Sequence, residues 1–232
     1  MNTPVTLLVG LFWLALTVLL YAAMRHVHGQ RPHILLSPMI VVPIVLIITL
    51  LVARVPYASY ASQSHWLSAM LGPATVAFAI PIFDYRQIMR RHWLPICVGV
   101  VVGMTIAVVS TVLLCRMIGL PDAIERSLTV RSISTPFAII AAPQLGGQAD
   151  IAAICVVITG IVGMILGEWI LGWLPLRSEV LARGALFGAG AHAVGTATAH
   201  QRDPEEGVIS SLTMIIAGVL MVLLAPFLAP LV

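Results

Sequence analysis

Two short stretches hold most of the polar chemistry of an otherwise apolar chain of 232 residues. In the first, Arg131-Ser132-Ile133-Ser134-Thr135-Pro136, a cation precedes hydroxyl residues and then a proline at what would be the first helical position. Ser or Thr at an N-cap with Pro at N1 marks a helix start, and the free amides and positive dipole end found there suit an anion such as a small carboxylate. Plain capping of a membrane helix, with Arg131 at the interface, would use the same residues. The second stretch, Gly184 to Ala199, reads GALFGAGAHAVGTATA and sets His192 among Gly188, Gly190, Gly195, Thr196 and Thr198. Lipid satisfies neither a free amide nor an imidazole. Such a run therefore survives at membrane depth only when it is buried in protein or lines a solvated hollow. The small residues would let a substrate approach, or equally let two helices touch; proton coupling through His192 is a further role.

Other candidates are weaker. The loop Pro143 to Gly147 (PQLGG) offers Gly146 and Gly147 as flexible backbone, either at a re-entrant tip that exposes amides and carbonyls or in a simple turn. Gly72-Pro73-Ala74-Thr75 would break an earlier segment and free Thr75 to donate to a substrate, or would be a kink satisfied by neighbours. Glu168, deep in an apolar run, is expected to pair with Arg177 or Arg183 by snorkelling. Asp203-Pro204-Glu205-Glu206 reads as the cap of the last helix. Cys97, Cys115 and Cys155 lack metal-ligand spacing, and no nucleotide loop, Ser/His/Asp spacing or zinc motif occurs. No metal, cofactor or enzymatic activity is expected.

These residues need elements to position them, and composition says which. With 60% hydrophobic and 9% charged residues and a mean hydropathy of +1.05, the chain is an all-α integral membrane protein forming a single domain over 1–232. A net charge of +3, from twelve scattered arginines against nine acids, gives no footprint for nucleic acid. A hydrocarbon core of about 30 Å needs about 20 apolar residues. Residues 5–24, 34–53, 93–115, 151–174 and 208–231 meet that length. Residues 66–83 make a proline-interrupted span, 184–199 is taken to cross, and 132–142 reads as a re-entrant half-helix. The expectation is a polytopic bundle of about seven spans plus that half-helix. Residues 5–24 lack a cleavage site and read as a retained span.

With the N-terminus outside, the inner loops would carry Arg25, Arg31, Arg86, Arg90, Arg91, Arg177 and Arg183, and the outer loops Arg54, Arg116, Arg126, Arg131 and Arg202. That seven-to-five division follows the positive-inside rule. The same scheme pairs 34–53, 66–83 and 93–115 with 151–174, 184–199 and 208–231 as an inverted repeat with discontinuous middle members, a pointer to a transporter site near the midplane. A competing echo, ICVGVVVGM at 96–104 and ICVVITGIVGM at 154–164, would start on the same side in this topology.

SISTPFAI at 132–139, LGG at 145–147, GAGAHAVGTATA at 188–199, EEGVISSL at 205–212 and LGPATVA at 71–77 together resemble the LrgB/CidB family over essentially the whole chain. Ala191 stands where the family carries Ser before the histidine, and Ala142 and Pro143 where it carries polar residues ahead of the glycines. The resemblance implies a multi-pass protein of the bacterial cytoplasmic membrane. It implies carriage of small monocarboxylates of the glycolate, glycerate or pyruvate class by alternating access or, alternatively, holin/antiholin-like control of murein hydrolase export and lysis. It also implies a small LrgA/CidA-type membrane partner beside a homo-oligomer. The expected substrate contacts are Arg131, Ser134, Thr135, Pro136, Gly146 and Gly147 on one side of the anion, and Thr75, His192, Gly195 and Thr196 on the other.

Overall fold

The structure, a computed structural model, describes residues 4–30, 36–70, 73, 76, 79–174 and 179–232. They are helical nearly throughout and divide into two compact units, Met1–Pro73 and Ala74–Val232. Among the described residues, four helices are long and apolar enough to cross a membrane, namely Leu7–Gln30, Arg86–Ile118, Ala149–Trp173 and Pro204–Leu228. The protein is thus an all-helical, polytopic membrane protein.

The first unit holds α1 (Pro4–Gln30), α2 (Pro38–Val52) and α3 (Tyr57–Ala69). Expected span 34–53 appears as α2, opened by Pro38 after Ser37. The α3 helix falls mostly where a loop was expected. Two of its hydroxyls bond to the helix itself, Ser62 Oγ donating to the Ser59 carbonyl and Ser64 Oγ to that of Tyr60. Gly10 of α1 leaves room for Ser62 and Gln63 of α3, and Trp13 stacks edge-on with Tyr60. Of the 66–83 segment, Gly72 and Thr75 lie outside the described residues, and a short helix, α4 (Ala79–Asp84), closes it.

The second unit continues with α5 (Arg86–Ile118), α6 (Asp122–Thr129), α7 (Thr135–Gln144), α8 (Ala149–Trp173), α9 (Val180–Gly190), α10 (His192–Arg202) and α11 (Pro204–Leu228). α5 kinks at His92, three residues before Pro95, whose ring opposes the carbonyl of Arg91. It ends on Gly119 at φ +74, where the Gly119 and Leu120 amides return to the carbonyls of Arg116 and Cys115. α11 starts on Asp203, whose side chain accepts from the amides of Glu205 and Glu206, with Pro204 at N1.

Two pairs of short helices fold back as hairpins. At 8 and 10 residues, α6 and α7 reach about 12 and 15 Å. Their bases are tied together, with Arg126 Nη1 donating to the Leu145 carbonyl at 3.2 Å and the Gln148 amide donating to Ser127 Oγ at 2.7 Å. Their tip is 130–134. At 11 residues each, α9 and α10 reach about 16 Å, half a hydrocarbon core. Arg183 from α9 and Arg202 from the end of α10 both bind Glu206, each at 3.0 Å. Residues 184–199 therefore enter and leave at one face with a tip at 190–192, and the expectation that they cross is corrected. Two helices of half-membrane length that fold back on each other at Ala191, with both outer ends held by Glu206, do not span.

The inverted-repeat pairing changes with them. α5 and α8 run in opposite directions, each followed by a hairpin, so the echo between 96–104 and 154–164 joins the segments that correspond. Placing Arg202 beside Arg183 also moves it to the face where α5 begins. Among the described residues of this unit that face carries Arg86, Arg90, Arg91, Arg183 and Arg202, against Arg116 and Arg126 at the other.

α11 is the scaffold. Phe137 of α7 seats its ring where Gly218 has no side chain, and Gly184 and Gly188 of α9 lie against backbone at Glu206 and Ser210. Glycine here serves close helix approach. Around Phe137, the apolar residues Ala138, Ala141, Ala142, Met214, Ile215 and Met221 make the core.

Candidate functional site

The two hairpin tips meet beside a cavity of about 350 Å3, at the low end of ligand pockets, which run about 300–1,000 Å3. Val100, Gly103, Met104 and Ala107 of α5, Thr159 of α8 and Ala217 of α11 line it from points near the middle of those long helices. The tips add Arg131 and Ser132 from the first hairpin, and Ala189 and Gly190 from the second. A position near the centre of three spanning helices is a position near the bilayer midplane.

Arg131 is held through a hydroxyl. Its Nε donates to Thr111 Oγ1 at 3.1 Å, and Thr111 in turn donates to the Ala107 carbonyl at 2.7 Å. This fixes the guanidinium while leaving its terminal nitrogens for another partner, and among the described residues no carboxylate pairs with it. A cation at this depth without a counter-ion is costly, and the cavity it lines has otherwise mainly apolar walls.

His192 sits at the second tip in the left-handed region, φ +49, a conformation that is uncommon outside glycine and a recurrent feature of functional sites. It is 3% exposed, and neither ring nitrogen has a hydrogen-bond partner. The backbones of Ser132 and Ala189 lie beside the ring without hydrogen bonds of good geometry. The imidazole thus stands behind two residues that line the cavity rather than in its wall.

The remaining expected contacts separate. Ser134 is buried and caps α7 with its backbone, its carbonyl accepting from Phe137 and Ala138, while Thr135 and Pro136 form the first turn; none of the three lines the cavity. Gly146 (φ +83) and Gly147 lie at the base of the first hairpin, against Arg126 and Ser127, not at a re-entrant tip. The reason is the direction of α7, which leads away from the tip. Gly195 makes room for Phe187 and Ala191 inside the second hairpin, and Thr196 shares a 2.9 Å hydrogen bond with Ser210 of α11. Thr75 lies outside the described residues. Sequence reasoning passed over Thr159 and the α5 lining, although a lone threonine in the middle of an apolar span was a usable signal. It read Glu206 as part of the cap of the last helix and did not foresee that the side chain is buried between Arg183 and Arg202. Glu168 pairs with Arg202 rather than with Arg183, and Arg177 lies outside the described residues. No group of three metal-ligating side chains occurs among the described residues.

Residues 17–231 match the model of the LrgB-like family. The chain belongs to that family. It is 37% identical to the Bacillus subtilis protein YwbG over 95% of this chain and 97% of that protein. It is 30% identical to the holin-like protein CidB of Staphylococcus epidermidis over 92% and 93%, and 28% identical to holin-like protein CidB of Staphylococcus aureus over 94% and 95%. No solved structure matches.

Proposed function

We propose that this LrgB-like protein is a secondary carrier of small monocarboxylate anions, of the glycolate, glycerate or pyruvate class, in the bacterial cytoplasmic membrane. The observation that carries this reading is Arg131, a guanidinium near mid-depth, oriented by Thr111 and lining a cavity with no acid beside it. A bound carboxylate would supply the missing charge and accept two parallel hydrogen bonds from the terminal nitrogens. Hairpins whose tips meet at the midplane are also the kind of discontinuous helix on which alternating access is built. The face bearing Arg183 and Arg202 is the cytoplasmic one by the positive-inside rule.

The holin-like names of the CidB relatives favour a second reading, a holin-like protein; control of murein hydrolase export with a small LrgA/CidA-type membrane partner is what the family resemblance adds to it. The glycine face of 184–198 lends it little, because Gly184 and Gly188 already pack on α11 of the same chain. Proteoliposomes separate the two. Saturable uptake of labelled glycolate or pyruvate, lost in Arg131→Gln at equal amounts of folded protein, is expected of the carrier. Dye release without saturable uptake refutes the carrier, and full uptake by Arg131→Gln refutes Arg131 as its anion site.

A further inference from the structure

We infer that Thr159 is a specificity-determining residue that reads the oxygen on the carbon next to the carboxylate, so that the site selects 2-hydroxy and 2-oxo acids over plain alkyl acids. This rests on the carrier reading above. Threonines in the interior of the helices around the cavity normally spend their hydroxyls on their own backbone. Thr105 and Thr111 of α5 donate to the carbonyls of Val101 and Ala107 at 2.8 and 2.7 Å, and Thr213 of α11 donates to that of Ile209 at 2.8 Å. The Thr159 hydroxyl makes no hydrogen bond among the described residues, and Thr159 lines the cavity. A hydroxyl both donates and accepts, so at this position it serves a substrate hydroxyl or a substrate ketone alike.

The geometry limits what that partner can be. Arg131 enters the same cavity from the first hairpin tip with its Nε already engaged by Thr111, so the carboxylate end of a ligand is assigned to the guanidinium. Val100, Met104, Ala107, Leu186 and Ala217 supply apolar walls, so an oxygen on the ligand that missed Thr159 would have few other partners besides Ser132. Leaving such a group unpaired in an apolar site is penalised more than the hydrogen bond itself contributes.

The test uses the purified full-length protein in detergent, titrated with L-lactate and with propionate, which keeps the carboxylate and carbon count and lacks the 2-oxygen. Wild type is expected to bind lactate at least about tenfold more tightly than propionate. Thr159→Val, of nearly the same shape, is expected to weaken lactate about tenfold and leave propionate unchanged. Thr159→Ser should restore the preference, and Thr159→Ala should lose it by a different route if the valine disturbs packing. Equal weakening of both acids, or no change for lactate, overturns the role of Thr159, while loss of both acids in Arg131→Gln shows that the anion site itself stands. Failure of wild type to bind either acid overturns the carrier reading and this inference together.

Discussion

Glu206→Gln tests the anchorage of the second hairpin most directly. The Glu206 side chain is wholly buried, and its oxygens take Arg183 Nε and Arg202 Nη1, each at 3.0 Å. Glutamine keeps one acceptor but turns an amide donor toward the other guanidinium, so a matched ion pair becomes a donor facing a donor. Removing one partner of a buried pair costs about 3–5 kcal/mol. The Arg183 and Arg202 side chains are 15% and 31% exposed, so water relieves part of the loss and the lower end, about 3 kcal/mol, applies. For a chain of this length that lowers Tm by about 6–12 °C. Glu168→Gln is the internal control. Its carboxylate, 38% exposed, meets the same Arg202 at the rim, and an exposed pair is worth at most about 1 kcal/mol. Thermal unfolding of both purified variants in one detergent, followed by tryptophan fluorescence, measures the difference. A Glu206→Gln protein within about 2 °C of wild type, or no less stable than Glu168→Gln, would refute the argument that this carboxylate holds the hairpin.

Two further outcomes follow from the tips and the cavity. A Cβ at Gly163 would strike the Gly190 carbonyl, which is backbone and cannot swing away, whereas one at Gly103 meets nothing within 4 Å and only occupies cavity space. Gly163→Ala should therefore lose about 1–3 kcal/mol of stability, while Gly103→Ala should leave Tm unchanged or higher and lower the rate of solute uptake; the reverse order in thermal unfolding contradicts the packing. At His192 (φ +49) a β-branched side chain is strained and asparagine is tolerated. His192→Val should thus unfold at lower temperature than His192→Asn by the equivalent of about 1–2 kcal/mol, and equal melting temperatures would disprove the strained turn.

The parts of this fold that rest on local chemistry were legible in the chain. Long apolar runs became α1, α5, α8 and α11, and Ser134-Thr135-Pro136 and Asp203-Pro204 became helix starts. The run around His192 was recognisably unusual, but its path was not, because a stretch of 16 residues has the length of either a strained crossing or a hairpin. What decides is Glu206, a residue just beyond the stretch that draws Arg183 and Arg202 to one face. The same limit explains the site. Arg131 was found from its position before a helix start, but Thr159, Ala189 and Ala217 come from elements separated by tens of residues and gather only through packing on α11. Gly146 and Gly147 looked like a flexible tip because glycine marks turns of every kind. The direction of α7 makes theirs the turn at the base.

The echo between α5 and α8 extends further than a shared string. Ile96 and Val156, Val100 and Gly160, Met104 and Met164, and Thr111 and Leu171 are each sixty residues apart, and all eight are buried positions on their helices. The same offset carries Ser132 of the first tip onto His192 of the second, and Gly147 onto Gly207, each a glycine pressed close to its own hairpin. Because the two helices run in opposite directions, equivalent packing serves opposite faces of the membrane, the arrangement an alternating device needs in order to offer one site to either side. Packing repeats, but electrostatics does not. Arg131 has Ala191 as its counterpart, and the first hairpin is tied at its base by a cation-to-carbonyl bond and a hydroxyl-to-amide bond, where the second is tied by a cluster of two arginines and two glutamates. On the proposed carrier reading, two halves alike in shape and unlike in charge would hold an asymmetric solute, a carboxylate at one end and a neutral group at the other, in one orientation while exchanging which face is open.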